Sequence, residues 1–448
     1  MLNYSNLLEK YREKEALGRF VPIACAALAT TVVAMYGIKT LLGNRRGEIK
    51  KYRMIPTPSG SVFYFGHKLL LGDIPAHKIA EWHKELGPIL RVKMGSEDWI
   101  YVADAGMAHE LFALEDNLES SSPHFICGDG IYGGKEASTK TVELLIKKTQ
   151  QHGSVNPLSF IRSNAINITL ATAFWTARCK ILTRPFIQIL DYPSIWKPWS
   201  WIKETTSMDA LYAPLRRVVQ RARTSDQDNM VKRIDLLKEE YVIDERDVTV
   251  ITGELLVAGT MALSSATAWT LAILCHHPDY YRFPTFDDLA ELPYSNALLK
   301  ESLRFRLPVY FGIPRKATKD VVCRNYLIPK GSTIVGNIYA ISNDNYVIQN
   351  PEKFLPERFQ YDSRTLHAGA NEGPEEHCAF GWQKRICPGI SLAETQMFNI
   401  VTKVMSRCTI EPILPVYPNL DDVRSAGATV VPGPFKLRFV ERDDRRIV

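Results

Sequence analysis

The sequence predicts a mainly helical chain with small β-sheets, an α+β body forming one large domain behind an N-terminal transmembrane helix. Three observations carry this. Residues 20–38 are a run of 19 positions without a charge. Apolar residues elsewhere recur mostly at helical spacing, with only short alternating stretches between turns. Finally, 46% of the 448 residues are hydrophobic and 23% are charged, which is ordinary globular composition. That composition excludes disordered, collagenous and coiled-coil chains, and the scarcity of long apolar runs excludes a polytopic transporter. The length allows one large enzyme domain or several of ~100–200 residues each.

The uncharged run reaches about 28 Å as a helix, against a hydrocarbon core of about 30 Å. A cleaved signal peptide would carry a shorter apolar region ending in a small-residue cleavage site. The predicted organisation is therefore a flank over 1–19, an anchor over 20–42, a basic and proline-rich linker over 43–60, and the body over 61–448. Lys39, Arg45, Arg46, Lys50, Lys51 and Arg53 follow the run, against Lys10, Arg12, Lys14 and Arg19 before it. That excess favours a cytosolic body. Pro56 and Pro58 stiffen the connector.

Within the body, residues 76–87 place Ile79, Trp82 and Leu86 at helical spacing and stop at Gly87-Pro88. Residues 89–94 and 99–102 read as two strands of a hairpin. Residues 120–135, rich in Ser, Pro and Gly, read as loop. Helices are predicted over 141–150, 158–180 and 208–240, with an apolar loop over 192–201. Residues 255–275 form a second run without a charge. Thr260, Ser264, Ser265, Thr267 and Thr270 are too many hydroxyls for a lipid-facing span, and Gly259 weakens it. A helix apolar all round but unlike a lipid span belongs at the centre of a large domain. The last third mixes short strands with loops.

The formal net charge of +6 is spread along the chain, so no nucleic-acid surface is predicted. The eight cysteines form no CxxC pair, which argues against a structural zinc site or a secreted disulfide framework. One of them stands out. Residues 377–389 read His-Cys-Ala-Phe-Gly-Trp-Gln-Lys-Arg-Ile-Cys-Pro-Gly, and a helical apolar pattern follows from Ile390. Cys387 thus sits just before a helix whose first position suits Pro388. Partial positive charge and unpaired N–H groups at a helix start favour the thiolate. A thiolate on a glycine-containing loop is a good ligand for a single metal. Gly381 and Gly389 would let a flat cofactor approach the backbone, and Arg385 could neutralise an acidic group on it. The commoner fate of a lone cysteine is burial in a core.

Phe380, Arg385, Cys387 and Gly389 fall in register with the haem-binding signature of the cytochrome P-450 family, which this sequence resembles. Three further segments match in the right order. Lys300-Glu301-Ser302-Leu303-Arg304 is similar to the Glu-x-x-Arg helix. Pro356-Glu357-Arg358-Phe359 is similar to the Pro-Glu-Arg-Phe segment. Ala258-Gly259-Thr260 resembles the start of the oxygen-binding groove. The resemblance spans roughly residues 54–442 and has the texture of the fungal microsomal branch that serves secondary metabolism. It implies haem b with Cys387 as axial ligand, Phe380, Gly381, Arg385, Gly389, Ala258 and Gly259 around the cofactor, and a locking triad of Glu301, Arg304 and Arg358. It implies electrons from NADPH through a flavoprotein reductase, a hydrophobic small-molecule substrate, and an endoplasmic reticulum membrane location. A thiolate on haem iron favours O–O cleavage. Lys384 is a candidate contact for the acidic face of the reductase. The triad has a reason of its own, since positions i and i+3 share a helix face and a buried charged pair must be fully hydrogen-bonded. Arg315 and Lys316 are expected at the surface.

Four departures bear on activity. The groove's acid and alcohol positions are Met261 and Ala262, and neither can relay a proton. Loss of a positioned relay commonly costs on the order of 10²–10⁴ in rate. Water, a substrate hydroxyl or Thr260, the candidate catalytic residue, would have to substitute. The usual glycine four before the ligand is Gln383. The Trp-x-x-x-Arg helix that helps hold a haem propionate is missing, and Trp175 and Arg178 are one residue too close to replace it. Only five residues separate His277-Pro278 from Pro284-Thr285, where the family has a longer segment. Three functions therefore stay open: a monooxygenase; a haem-thiolate isomerase, dehydratase or peroxide-using enzyme; and a non-catalytic relative. The pocket is expected from 120–132, 190–212, 255–267, 308–313 and 427–431, with Tyr310, Phe311 and Trp196 as lining.

Overall fold

A computed structural model describes residues 52–95, 97–114, 118–119, 134–174, 201–281, 293–361, 378–382 and 386–442. The expected anchor, the loop over 120–133, Trp175, Arg178, Trp196, Gln383, Lys384 and Arg385 lie outside them. Two compact units are present, one of residues 1–55 with 320–328 and one of residues 56–319 with 329–448.

In the smaller unit, β5 (Val321–Cys323) and β6 (Tyr326–Ile328) form an antiparallel hairpin. Arg324 and Asn325 at its turn both have positive φ, as the two-residue primed turn requires. The Arg53 N–H donates to the Asn325 carbonyl at 2.8 Å.

In chain order, the larger unit begins with α1 (Pro75–Leu86), β1 (Ile89–Met94), β2 (Glu97–Val102), α2 (Ala105–His109), a π-helical turn (Glu110–Leu114) and β3 (Leu118–Glu119). There follow α3 (Gly134–His152), α4 (Pro157–Phe174), α5 (Trp201–Thr224), α6 (Met230–Tyr241), α7 (Glu245–His276) and α8 (Pro293–Phe305). The chain closes with β4 (Arg315–Ala317), β7 (Thr333–Gly336), α9 (Ile338–Ser342), α10 (Ile390–Arg407), β8 (Cys408–Pro412), β9 (Val423–Ala426), β10 (Thr429–Pro432) and β11 (Leu437–Glu441). The largest sheet runs β1-β2-β7-β4-β3, and the pairs β10-β9 and β11-β8 stand apart. Mainly helical with small sheets is the observed class.

The expected hairpin is present, with its second strand starting two residues early, so that Met94 pairs with Glu97. The charged stretch over 208–240 is two helices rather than one. Asn229 caps the second, accepting from the Lys232 N–H, and such a cap marks a fresh helix start.

Helix α7 is the centre of the unit. Asp244 and Asp247 close a reciprocal capping box at its start, each satisfying an otherwise orphaned N–H. It is the one helix among the described residues long and apolar enough to cross a membrane, and 61% of that apolar window is buried inside the protein. Its hydroxyls are accommodated locally. Thr252, Thr267 and Thr270 donate to the carbonyl one turn back, on Val248, Leu263 and Ala266. Leu263, Leu271 and Ile273 join Val142, Ile161, Leu299, Val401 and Phe439 in the main core. Its first half packs with Ile166, Leu215, Val218 and Val231 in a second cluster. A third cluster joins α1 to the sheet through Ile79, Trp82, Leu90 and Tyr101.

Leu263 is 4% exposed within the main cluster. Leu263→Ala should cost about 2–5 kcal/mol through lost burial and the cavity left behind, read as a lowered midpoint of urea unfolding.

Candidate functional site

Cys387 lies two residues before Gly389, the N-cap of α10, and three before its first residue, Ile390, so that Pro388 falls outside the helix instead of at its first position. The Cys387 N–H donates to the Phe380 carbonyl at 2.8 Å, and the Cys387 carbonyl accepts from Ile390 N–H at 3.3 Å. These two backbone bonds tie Cys387 to Phe380 on one side and to the first residue of α10 on the other. Gly381 turns the chain with φ +83°, a conformation that favours glycine. A methyl group at Gly389 would come to 3.9 Å from Cys387 Sγ, an ordinary contact, so the turn itself does not require this glycine. Phe380 and Ile386 pack on the main core on either side.

No disulfide joins the described cysteines. Cys275, Cys378 and Cys408 are buried, whereas Cys387 is half-buried. Burial pushes the Cys378 thiol up to about 11, against a smaller opposing effect of its Ser342 contact. Burial likewise pushes Cys275 and Cys408 up to about 12. Those three are protonated core residues at neutral pH. Among the described residues no three His, Cys, Asp or Glu come together as a metal-binding group, so Cys387 would serve as a single sulfur ligand.

The predicted triad is assembled. Glu301 is fully buried, and Arg304 reaches it through two bonds, Nε to Oε2 at 2.7 Å and Nη2 to Oε1 at 2.8 Å. The Leu355 N–H also donates to Glu301 Oε1 at 2.9 Å, and Arg358 Nε approaches the same oxygen at 3.4 Å. Arg304 also donates through Nη1 and Nη2 to the Ser342 and Lys353 carbonyls, and Arg358 donates to those of Gln349 and Asn350. A surface ion pair contributes little; this one is desolvated and gains from its full set of charge-assisted bonds. Its reach extends to the cysteine loop, because the Ser342 hydroxyl lies 3.6 Å from Cys378 Sγ, in the turn Cys378–Phe380.

A second fastening was not foreseen. Trp382, inside the loop, stacks on Phe112 with centroids 5.2 Å apart and planes at 17°. It fills a slot floored by glycines: a methyl on Gly336 would meet the indole at 2.7 Å, and one on Gly312 at 3.4 Å. Arg315 Nη1 donates to the Phe112 carbonyl at 2.9 Å, and the guanidinium lies over the Phe112 ring at 5.0 Å. Arg315 is therefore not the surface residue expected. It is 7% exposed, because β4 turns alternate side chains to opposite faces and sends Lys316 outward instead. Tyr310 also departs from expectation. It is buried against Tyr339 and His77, at centroid distances of 4.6 and 5.6 Å, rather than lining a pocket. Phe311 is half-buried and packs toward Tyr101.

Along α7, Ala258 is exposed and Ala262 half-buried. They are one turn apart and share a face. Thr260 lies on the opposite face, fully buried, and among the described residues its hydroxyl has no partner. The candidate relay therefore points away from the alanines. Gly259 faces α4, where a methyl would meet Thr169 Oγ1 at 3.3 Å, so the absence of a side chain lets the two helices approach. Met261 packs in the second cluster.

Glu301→Gln would leave Arg304 buried without a carboxylate and should cost about 3–5 kcal/mol, seen as loss of folded yield; adding Arg304→Met should restore part of it. Gly336→Ala forces a methyl into the Trp382 indole and should cost about 1–3 kcal/mol, read by thermal unfolding.

The sequence profile of the cytochrome P450 family matches residues 172–439. Among curated proteins, the chain is 23% identical to a phenylacetate 2-hydroxylase of Emericella nidulans over 89% of this chain and 92% of that one. It is 26% identical to a cytochrome P450 monooxygenase of Armillaria gallica over 57% of this chain and 55% of that one. It is also 41% identical to cytochrome P450 monooxygenase 79 of Postia placenta, over 28% of this chain but only 22% of that protein. The chain thus spans about half or less of the length of two of these relatives and nearly all of the third. With a half-buried cysteine just before a helix, a buried Glu-x-x-Arg pair and a profile match over more than half its length, the chain belongs to the cytochrome P450 family.

Proposed function

We propose that this chain is a haem-thiolate monooxygenase that inserts one oxygen atom of O₂ into a hydrophobic small molecule. The supporting observation is the half-buried Cys387, tied by its backbone to Phe380 and to the start of α10, while the other described cysteines of the larger unit are buried. The residues present fit an iron porphyrin at this end. A single thiol is offered, Phe380 and Ile386 beside it in the loop are partly buried apolar side chains packed on the main core, and Ala258 and Ala262 put small side chains on one face of α7.

When bound, the haem supplies oxygen activation promoted by its thiolate ligand. The chain's own residues do the rest. Cys387 supplies the sulfur, and its N–H bond to Phe380 holds the loop. Arg315 is a buried cation near the loop that would compensate an acidic group of the cofactor, with Arg385 as a second. Ala262 supplies no hydroxyl and Met261 no acid, so protons would come from water or from a hydroxyl of the substrate. Electrons are proposed to come from NADPH through a flavoprotein reductase meeting Lys384.

The substrate reading is a terpenoid, polyketide or alkaloid skeleton of fungal secondary metabolism, supported by apolar side chains along the expected pocket. The location reading is the endoplasmic reticulum membrane, with the body on the cytosolic side. In its support, Phe63 is 96% and Tyr64 79% exposed, at the tip of a turn closed by paired Val62 and Gly66 bonds. Exposed aromatics of this kind suit a membrane interface.

A second reading, a peroxide-using enzyme or haem-thiolate isomerase or dehydratase, is favoured by Met261 and Ala262, because such chemistry does not require the relay. Protein expressed with hemin, then reduced and exposed to carbon monoxide, should show the displaced Soret band of thiolate ligation. Cys387→Ala should abolish it, and a colourless wild type would overturn both readings. Ala262→Thr should raise the reductase-driven rate by about tenfold or more while leaving peroxide-driven turnover unchanged; no gain would favour the second reading.

A further inference from the structure

Trp382 stands between the two backbone ties of the cysteine loop. On one side the Gly381 N–H donates to the Cys378 carbonyl at 3.0 Å and closes the turn Cys378–Phe380. Gly381 then sets the exit from that turn with φ +83°, and Trp382 is the next residue. On the other side the Phe380 carbonyl, two residues before Trp382, accepts the Cys387 N–H at 2.8 Å. The indole is thus attached to the stretch of chain from which Cys387 hangs.

Its seat is built from parts with little freedom. Trp382 is 8% exposed. One side of the slot is backbone, at Gly312 and Gly336, and the Gly312 N–H donates to the Gly336 carbonyl at 2.8 Å. A methyl at Gly336 would meet the indole at 2.7 and 2.8 Å and the Phe112 ring at 3.2 Å. Phe112 lies nearly parallel on the indole and is itself held twice by Arg315, through its carbonyl and over its ring. Backbone and a doubly held ring do not yield as a flexible side chain would. Phe380 and Ile386 pack the loop on the main core, so Trp382 is a separate contact, to the sheet. A ring placed for burial alone needs only apolar surroundings. A slot that fixes the plane and position of the ring passes both on to the attached backbone.

Resting on the haem-thiolate reading, we infer that Trp382 is a positioning residue. Seated between Phe112 and the backbone of Gly312 and Gly336, it holds the Phe380 carbonyl in place and so fixes the position in which the Cys387 sulfur is offered to the iron.

The test uses the full chain expressed with hemin, as wild type, Trp382→Phe, Trp382→Ala, Gly336→Ala and the double variant of Gly336→Ala with Trp382→Ala. The first readout is the share of reduced, carbon monoxide-bound protein that shows the displaced Soret band of thiolate ligation. The second is alkylation of Cys387 by iodoacetamide in the haem-free fraction of the same preparation, followed by mass spectrometry, with the buried Cys378 as internal reference. Trp382→Ala should move most of the protein out of the displaced band and raise Cys387 alkylation about tenfold relative to Cys378. Trp382→Phe, which keeps a ring in the slot, should stay close to the wild type in both. Gly336→Ala should resemble Trp382→Ala, because its methyl expels the indole. The double variant should be no worse than Trp382→Ala alone, since the methyl then has no indole to displace.

A lower unfolding temperature in Trp382→Ala with unchanged band and alkylation would make the indole ordinary packing and overturn the inference. An equal rise of alkylation at Cys378 would overturn it too, as would a Gly336→Ala effect that adds in full to that of Trp382→Ala. A wild type without the displaced band fails the haem-thiolate reading instead, and the alkylation series still decides whether Trp382 holds the loop.

Discussion

The buried contact between Glu301 and Arg304 is the constraint on which the cysteine loop depends. Two charges taken out of water are costly, and only a complete set of partners offsets the loss. Here the partners come from widely separated parts of the chain: the Leu355 N–H, the Ser342 and Lys353 carbonyls, and Arg358. The pair lies within α8, and its remaining partners are in place only where α8, α9 and the segment around residue 355 meet. It therefore reports on assembly as well as contributing to it. Through Ser342 and Cys378 it also borders the loop that presents Cys387.

Helix α7 performs two tasks on two faces. One face is packed without gaps, with threonine hydroxyls returned to their own backbone and Gly259 drawn close to Thr169. The other carries the small residues Ala258 and Ala262. The division places Thr260 and the two alanines on different faces. Side chains two positions apart on a helix point to nearly opposite sides, so a hydroxyl at 260 cannot serve the face that holds 258 and 262.

Much of this was legible in the sequence because the features were local. The helix after Cys387 followed from periodicity, the pairing of residues 301 and 304 from i,i+3 spacing, and the hairpin of β1 and β2 from a Gly-Ser turn between alternating runs. The central helix was separated from a membrane span by its hydroxyls. What escaped was long-range. Nothing near Arg315 in the chain announces that Phe112, two hundred residues earlier, will cover it. The slot that receives Trp382 is built from Gly312 and Gly336, and a glycine in a strand signals only that something comes close. Tyr310 was assigned to the pocket by position, but its ring found two aromatic neighbours instead.

The seating of Trp382 carries a consequence for how the loop is placed. Its indole rests on the end of β7 and on the π-helical turn, while Arg315 of the adjoining strand grips that same turn from the other side. The sheet edge and the ligand loop thus share one mechanical joint. A shift of a few tenths of an ångström in the strand has no soft material in which to dissipate, since close-packed interiors transmit strain. The position of the loop that carries Cys387 is in this way coupled to a distant strand of the largest sheet.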